Sequence, residues 1–379
     1  MTVQVTGIGI GRFGRRAESG VELATEAGLR AMEDVGRKPI DLLVVGNMLG
    51  EVLEERASPV PRLASRLGLD SAAGMRVEAA SATGAAAFHA AVTAIASARS
   101  DRALVVAYEK MTGAPTPVVA RALARALAPE EVAVGATMPA LAAIVAQRYC
   151  ARYRVPLTVF DRVSAHMRAR AALNPAAQFR KPVSAEEVGA SRTVSSPLRL
   201  LHCAAISDGA AALVVERGED GAIVRGLGQG LDAFRVVDRP SLSGFAATRS
   251  AAARSYEMAH ATPKQLDLAE VHDAFAPFAL IDLEDLGIAD PGGGAAWFDG
   301  DRGAPDKALP INPSGGVLGR GHPVGASGLV EIAEIAAQIR GRAGPHQVGS
   351  KVRLGLAQSI GGLASHNFVT ILGRGGEPA

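Results

Sequence analysis

Asn312-Pro313-Ser314-Gly315-Gly316 and, after four intervening residues, Gly321-His322-Pro323-Val324-Gly325-Ala326-Ser327-Gly328 decide how this chain is read. Gly321, Pro323 and Gly325 make a helix or strand at His322 untenable and fix the ring in a turn just before an apolar helical run. An imidazole placed in this way is poised as a base beside backbone donors.

Around this block, short β-branched runs alternate with Ala-rich segments. Val3 to Ile10, Asp41 to Met48, Met75 to Ala79, Arg102 to Tyr108 and Ala211 to Glu216 read as strands. Gly20 to Val35, Val60 to Leu67 and Thr83 to Ala98 read as helices between them. The second half continues with strands near Ala222 to Gly226, Leu268 to Val271, Val352 to Gln358 and Asn367 to Leu372. Its helices fall at Thr248 to His260, Phe275 to Leu286 and Ser327 to Ile339. The fold class is α/β, in two halves built on one plan.

Residues carry the echo: Ala82-Thr83-Gly84 opens one Ala-rich helix and Ala326-Ser327-Gly328 another, each leading to a strand starting at Arg102 or Arg353. The first half spans 1–220 and the second 221–379, with an insertion over roughly 109–205 that reads as a lid. Within it, Pro139 to Arg154 and Pro156 to Leu173 are helix candidates, Pro156 suiting the first helical position. Asn174 to Phe179 reads as a helix stop, and the tail from Gly373 to Ala379 as loose.

Composition excludes several classes. With 379 residues, 48% apolar and 21% charged, the chain can bury a large core. Forty basic against 38 acidic residues and 4% aromatics give no footprint for nucleic acid. No uninterrupted apolar run reaches membrane-spanning length and no secretory leader opens the chain, so a cytoplasmic protein without membrane attachment is expected. Cys150 and Cys203, the only cysteines, lack metal-ligand spacing.

Gly9-Ile10-Gly11-Arg12-Phe13-Gly14 fits a dinucleotide fingerprint with Glu33 downstream, but polar Arg15 to Ser19 delay the helix that would face a pyrophosphate. Ser81 stands at a strand-to-helix corner, where it is either an exposed functional hydroxyl or an N-cap. His272-Asp273 ends the strand Leu268 to Val271; the histidine could face an oxyanion or be a satisfied buried ring, and Asp273 could fix its tautomer or a neighbouring turn. Gln358-Ser359-Ile360-Gly361-Gly362 ends another strand with unhindered backbone N–H groups. His89, His166, His202, His260, His346 and His366 read as structural or exposed, and Met111 to Pro115 and Arg121 to Arg125 as solvated or lid surface.

Together the Ser81 corner, Asn174 to Phe179, Ser207-Asp208-Gly209, Val271-His272-Asp273, the Gly-His-Pro block and Gly361-Gly362 resemble the thiolase superfamily. The resemblance is to the branch of archaeal-type acetyl-CoA acetyltransferases and the sterol carrier protein X thiolase domain, which carries His-Asp where other thiolases have Asn-Glu. It implies a duplicated five-layer αβαβα fold with an inserted loop domain, a homodimer or dimer of dimers, and a CoA thioester as substrate with no permanently bound cofactor or metal. A small zinc-ribbon and OB-fold partner protein is a further expectation from the resemblance. Ser81 would stand where relatives keep a nucleophilic cysteine, its N–H forming an oxyanion hole with that of Gly361. His322 would be the base, and His272 would help polarise a thioester carbonyl, with Asp273, Ser359 and Gly362 in secondary roles.

Two departures from that pattern shape the function. A serine hydroxyl needs full general-base assistance where a thiol is already partly ionised. The second thiol of relatives is also missing, because the two candidate positions read Ala274 and Ser359. An acyltransferase with an impaired or altered covalent step is the leading expectation. A retro-aldolase acting on 3-hydroxyacyl-CoA without an acyl-enzyme, and a non-catalytic acyl-CoA-binding subunit, are the alternatives.

Overall fold

The computed structural model describes residues 2–55, 57–299, 309–349 and 351–376. One mixed sheet runs through it, formed by β1 (Val3–Ile10), β2 (Leu42–Gly46), β3 (Ala73–Val77), β4 (Arg102–Glu109), β5 (Gly209–Arg217), β6 (Ala222–Leu231), β7 (Leu268–Glu270), β8 (Leu354–Gly361) and β9 (His366–Arg374). Its order is β3-β2-β4-β5-β1-β6-β9-β8-β7. The join between β1 and β6 is narrow, only Gln4 with Ile223 and Val5 with Ala222. On either side of it the order repeats, β2-β4-β5-β1 matching β7-β8-β9-β6, with the inner pairs antiparallel and the β2–β4 and β7–β8 pairs parallel. An isolated parallel bridge from Ala269 to Ile311 stands where β3 stands in the first half. This is the duplicated thiolase α/β fold.

Helices cover both faces: α1 (Gly20–Glu33), α2 (Pro59–Leu67), α3 (Thr83–Ala96), α4 (Met138–Tyr153), α5 (Thr158–Ala171), α6 (Ala246–Ala259), α7 (Ala276–Asp285), α8 (Gly316–Arg320) and α9 (Val324–Ile339). The apolar core divides accordingly. One cluster holds α1 and α2 against the outer face of the first half, and a second packs α4 to α7 against the second half. The third lies between the halves around α3 and α9. Every residue of α9 is buried. Glycine permits the closest approach of this central pair: a Cβ at Gly84 would lie 2.5 Å from the Leu329 nitrogen, and one at Gly328 2.8 Å from that of Ala85.

Several expectations change. Gly9 lies within β1, and α1 opens only at Gly20, where the Ser19 hydroxyl accepts the Glu22 N–H; no helix end meets the Gly9 to Gly14 turn, so the dinucleotide reading falls. Pro156 is not the first residue of α5, which starts at Thr158; Pro156 instead offers its carbonyl to the Val159 N–H. β9 runs through Arg374, so the expected loose tail is ordered there, and residues 377–379 lie outside the described ones. Met111 is buried, not surface, its N–H donating to the Asp208 carboxylate at 2.7 Å. Among the described residues no helix is long and apolar enough to cross a membrane.

Candidate functional site

β7 delivers His272 and the turn after α8 delivers His322, and their rings meet edge to face with centroids 5.0 Å apart. His322 is anchored twice: its N–H donates to the Ser207 hydroxyl at 2.9 Å, and its Nδ1 lies 2.8 Å from Ser327 Oγ. Ser327 has one hydroxyl hydrogen and donates it to the Pro323 carbonyl at 3.1 Å. Nδ1 of His322 must then carry the proton toward Ser327, which leaves a lone pair on Nε2. Burial holds this ring well below its usual pKa, helped by His272 and Arg320, so it is a neutral acceptor.

His272 is 1% exposed, and its backbone N–H donates to Gln358 Oε1 at 2.8 Å. Its Nδ1 is 2.8 Å from Oε1 of Glu331, in the middle of α9, whose Oε2 accepts the Ser359 hydroxyl from β8. Burial pushes His272 down to about 3 and Glu331 up to about 8, the latter against an opposing pull from Arg320. Glu331 was not visible as a functional residue in the sequence.

Asp273 takes the turn role. Its carboxylate accepts the Val317 N–H at 2.7 Å and that of Leu318 at 3.3 Å, at the start of α8, and the Asn312 amide at 3.1 Å. It therefore does not fix the His272 tautomer, because Glu331 occupies Nδ1. Asn312 bridges both strands of this turn, with Oδ1 accepting the Val271 N–H at 2.6 Å.

Ser81 sits at the corner between β3 and α3, half-buried, after Ala80 at φ +49°. It is not the N-cap: that position is Ala82, with no side-chain cap bond. Thr83 closes the turn instead, its hydroxyl donating to the Ala80 carbonyl at 2.6 Å and accepting the Ala79 N–H at 2.9 Å. Gly361 packs on this corner, so closely that a Cβ there would lie 2.6 Å from the Ala79 carbonyl. A cavity of about 470 Å³ opens here, bounded by Ala79, Ala80, Gly361, Gly362, His366 and Phe234. His366, read as structural or exposed from sequence, is thus a wall of the cavity.

The predicted residues fall into two neighbouring groups. Gly361 and Gly362 line the cavity, and Ser81 follows Ala79 and Ala80 of its wall without lining it; His272, His322 and Ser359 form the imidazole group, which is not part of that wall either. β8 joins them, since Ser359 and Gly361 are two residues apart on it. The α3–α9 crossing also joins them: a Cβ at Gly328 would meet both Ser359 Oγ, at 2.6 Å, and the first turn of α3.

Neither cysteine lines the cavity. Cys150 lies in α4, and burial pushes its thiol up to about 11. Cys203 pairs by backbone with Phe275, but its thiol donates to the Arg199 carbonyl at 3.5 Å and burial raises it to about 12. Among the described residues no group of three or more histidine, cysteine, aspartate or glutamate side chains could hold a metal ion.

Residues 3–219 match the thiolase N-terminal domain and residues 228–374 the thiolase C-terminal domain-like family. The acetyl-CoA acetyltransferase of Methanothermobacter thermautotrophicus is 36% identical over 384 residues, covering 98% of this chain and 99% of its own. Human sterol carrier protein 2 is 29% identical over 394 residues, covering 95% of this chain and 70% of its own. Among solved structures, the "Ltp2-ChsH2(DUF35) aldolase" superposes with a TM-score of 0.85 at 25% identity, over 99% of this chain and 98% of that one.

Proposed function

Since this chain belongs to the thiolase superfamily, we propose that it makes or breaks the carbon–carbon bond next to the carbonyl of a CoA thioester, by retro-aldol chemistry on a 3-hydroxyacyl-CoA. The observation that carries this reading is a site in which a buried imidazole, His272, and a half-buried one, His322, meet at 5.0 Å, with serines at 81 and 359 where a thiol would stand. Retro-aldol cleavage needs only a base and donors to an oxyanion. The lone pair on His322 Nε2 takes the proton of the 3-hydroxyl; the O–H electrons form the new carbonyl as C2–C3 breaks. The released pair becomes the enolate of the shortened thioester, its oxygen held by His272. The proton on His322 then returns to C2, so the products are an aldehyde or ketone and an acyl-CoA. Backbone N–H groups of Ser81 and Gly361 would hold the thioester at the adjoining corner, with Gly362 and His366 lining the approach.

A second reading, acyl transfer through Ser81 in place of a cysteine, is favoured by the 36% identity to an acetyl-CoA acetyltransferase. The test gives the protein acetoacetyl-CoA with CoA, and separately a panel of 3-hydroxyacyl-CoA esters. Release of aldehyde or ketone with no adduct in intact mass supports the aldol reading, whereas thiolysis together with an acyl adduct on Ser81 overturns it. The variant S81C should gain an acyl adduct from acetoacetyl-CoA.

In the same reading the chain divides at residue 220, and the insertion over roughly 109–205 covers the thioester. A homodimer is supported by β3, an edge strand whose first three residues are exposed and free to pair with a second copy. A small partner protein, expected to be of the zinc-ribbon and OB-fold kind, is supported by the structural neighbour, an "Ltp2-ChsH2(DUF35) aldolase".

A further inference from the structure

We propose that Glu331 is the positioning residue that makes His272 a hydrogen-bond donor: as an un-ionised carboxylic acid it gives its hydrogen to Nδ1, which places the ring's own hydrogen on Nε2. The inference rests on the retro-aldol reading only for what that hydrogen does, namely hold the enolate oxygen.

With the carboxyl un-ionised, its own hydrogen bonds fix where the acid hydrogen sits. Ser359 donates to Oε2, so the acid hydrogen belongs on Oε1, the atom 2.8 Å from His272 Nδ1. Both side chains are 1% exposed, and among the described residues no lysine or arginine pairs with the carboxyl. The groups around it come from every packed element. Arg320, in α8, acts at a distance, with its Nη1 directed to Ser314 Oγ at 2.9 Å and to Glu270 at 3.6 Å and its Nε and Nη2 buried without a hydrogen-bond partner. Asp282, in α7, is itself pushed up by burial and by Glu331 and accepts the Gln358 amide at 3.0 Å. An imidazolium at His272 would sit against the second ring at 5.0 Å and in the field of Arg320, both unfavourable. Acid and neutral ring together avoid burying a charge.

The two histidines thereby acquire opposite roles from their Nδ1 partners. Ser327 accepts from His322 and leaves it a base; Glu331 donates to His272 and leaves it a donor. Ionisation of Glu331, near its value of about 8, reverses the second case, because a carboxylate accepts the Nδ1 hydrogen and strips Nε2 of its own.

The test uses the full-length protein with nitrogen-15-labelled histidine. At pH 7 the His272 signals should show a protonated Nε2, crossing to protonated Nδ1 above about pH 8, whereas E331Q, whose amide can donate to Nδ1 and accept from Ser359, should hold the Nε2 form throughout. With an active ester, wild-type kcat should fall across the same range with KM nearly constant. E331Q should keep kcat within about tenfold and lose that alkaline limb, and E331L should lose about 100-fold or more, as when one oxyanion donor is removed. Nδ1 protonated in the wild type at pH 7, or E331Q as impaired as E331L with the limb intact, overturns the assignment. If E331L does not fold, the E331Q comparison decides. Absence of turnover on every ester, with the tautomer as stated, removes the aldol reading and leaves Glu331 as described.

Discussion

The crossing of α3 and α9 permits a numerical prediction for Gly84→Ala. In an exposed helix this change would stabilise by about 1 kcal/mol through propensity alone. Here the new methyl would lie 2.5 Å from the Leu329 nitrogen, 2.9 Å from its Cβ and 3.1 Å from the Ala326 carbonyl. Ordinary contacts need about 3.5 Å or more, so the helices must part by about 1 Å. Two of the three obstacles are backbone, on a helix with every residue buried, and no rotamer change relieves them. Overpacking of this kind costs about 1–3 kcal/mol, and taking the upper end against the propensity gain leaves a net loss of about 2 kcal/mol. The same displacement separates the Ser81 corner from the helix that follows His322, and a shift of about 1 Å at reacting groups costs about 100-fold in rate. Urea unfolding followed by circular dichroism, with kcat on an active thioester, measures both. Gly349→Ala is the control, since a Cβ there meets nothing within 4 Å. A Gly84→Ala protein that unfolds at higher urea than the wild type would refute the close-packed crossing.

Asp208 should matter to stability as much as any site residue. Its carboxylate takes Lys110 Nζ and the N–H groups of Met111 and Thr112, each at 2.7 Å, and the Arg16 N–H at 3.0 Å. Asp208→Ala leaves them without their acceptor and should cost about 3–5 kcal/mol in a urea titration. Burial alone would raise Asp208, but the bonds from Lys110 and Thr112 hold it below its usual value. Its contribution is therefore present above the unfolded pKa of about 3.9 and lost as pH falls further, and Asp208→Asn should flatten that acid limb. At the other extreme, the thiols at about 11 and about 12 leave about 10⁻⁴ or less ionised at pH 7. Maleimide should label the native wild type over hours but S81C within minutes, and equal rates would contradict the buried-thiol description.

Much of the fold was legible because its signals are local. β1 falls on the alternating run Val3 to Ile10, and α2 ends at Leu67 where Gly68 takes a positive φ of 70°. The repeat of Ala-Thr-Gly and Ala-Ser-Gly marks the two central helices, and the structure shows the reason: small residues allow their backbones to touch. Boundaries failed where tertiary contacts overrode local rules. Met111 looks like loop surface until Asp208, far along the chain, draws its N–H inward. Pro156 suits a helix start, yet α5 begins two residues later.

The site was legible by half, for a physical reason. A histidine in a Gly-Pro turn or at a strand end stands out, whereas Glu331, Glu334 and Gln338, spaced along one side of an otherwise apolar helix, look like the wet stripe of an amphipathic one. All three are buried. Buried polar groups must find partners, and each partner comes from outside the helix. Glu331 takes His272 and Ser359; Glu334 takes His346 at 2.9 Å and Asn174 at 3.3 Å; Gln338 takes the Val348 N–H at 2.9 Å. The stripe therefore ties the turn at Asn174, the strand end bearing His272 and the segment before β8 to one helix, the helix that His322 shortly precedes. The same bonds that register the second half on the central layer thus hold in place the helix from which Glu331 reaches His272. An apolar substitution at 334 or 338, neither of which touches His272 or His322, should then disturb the rate as well as the stability.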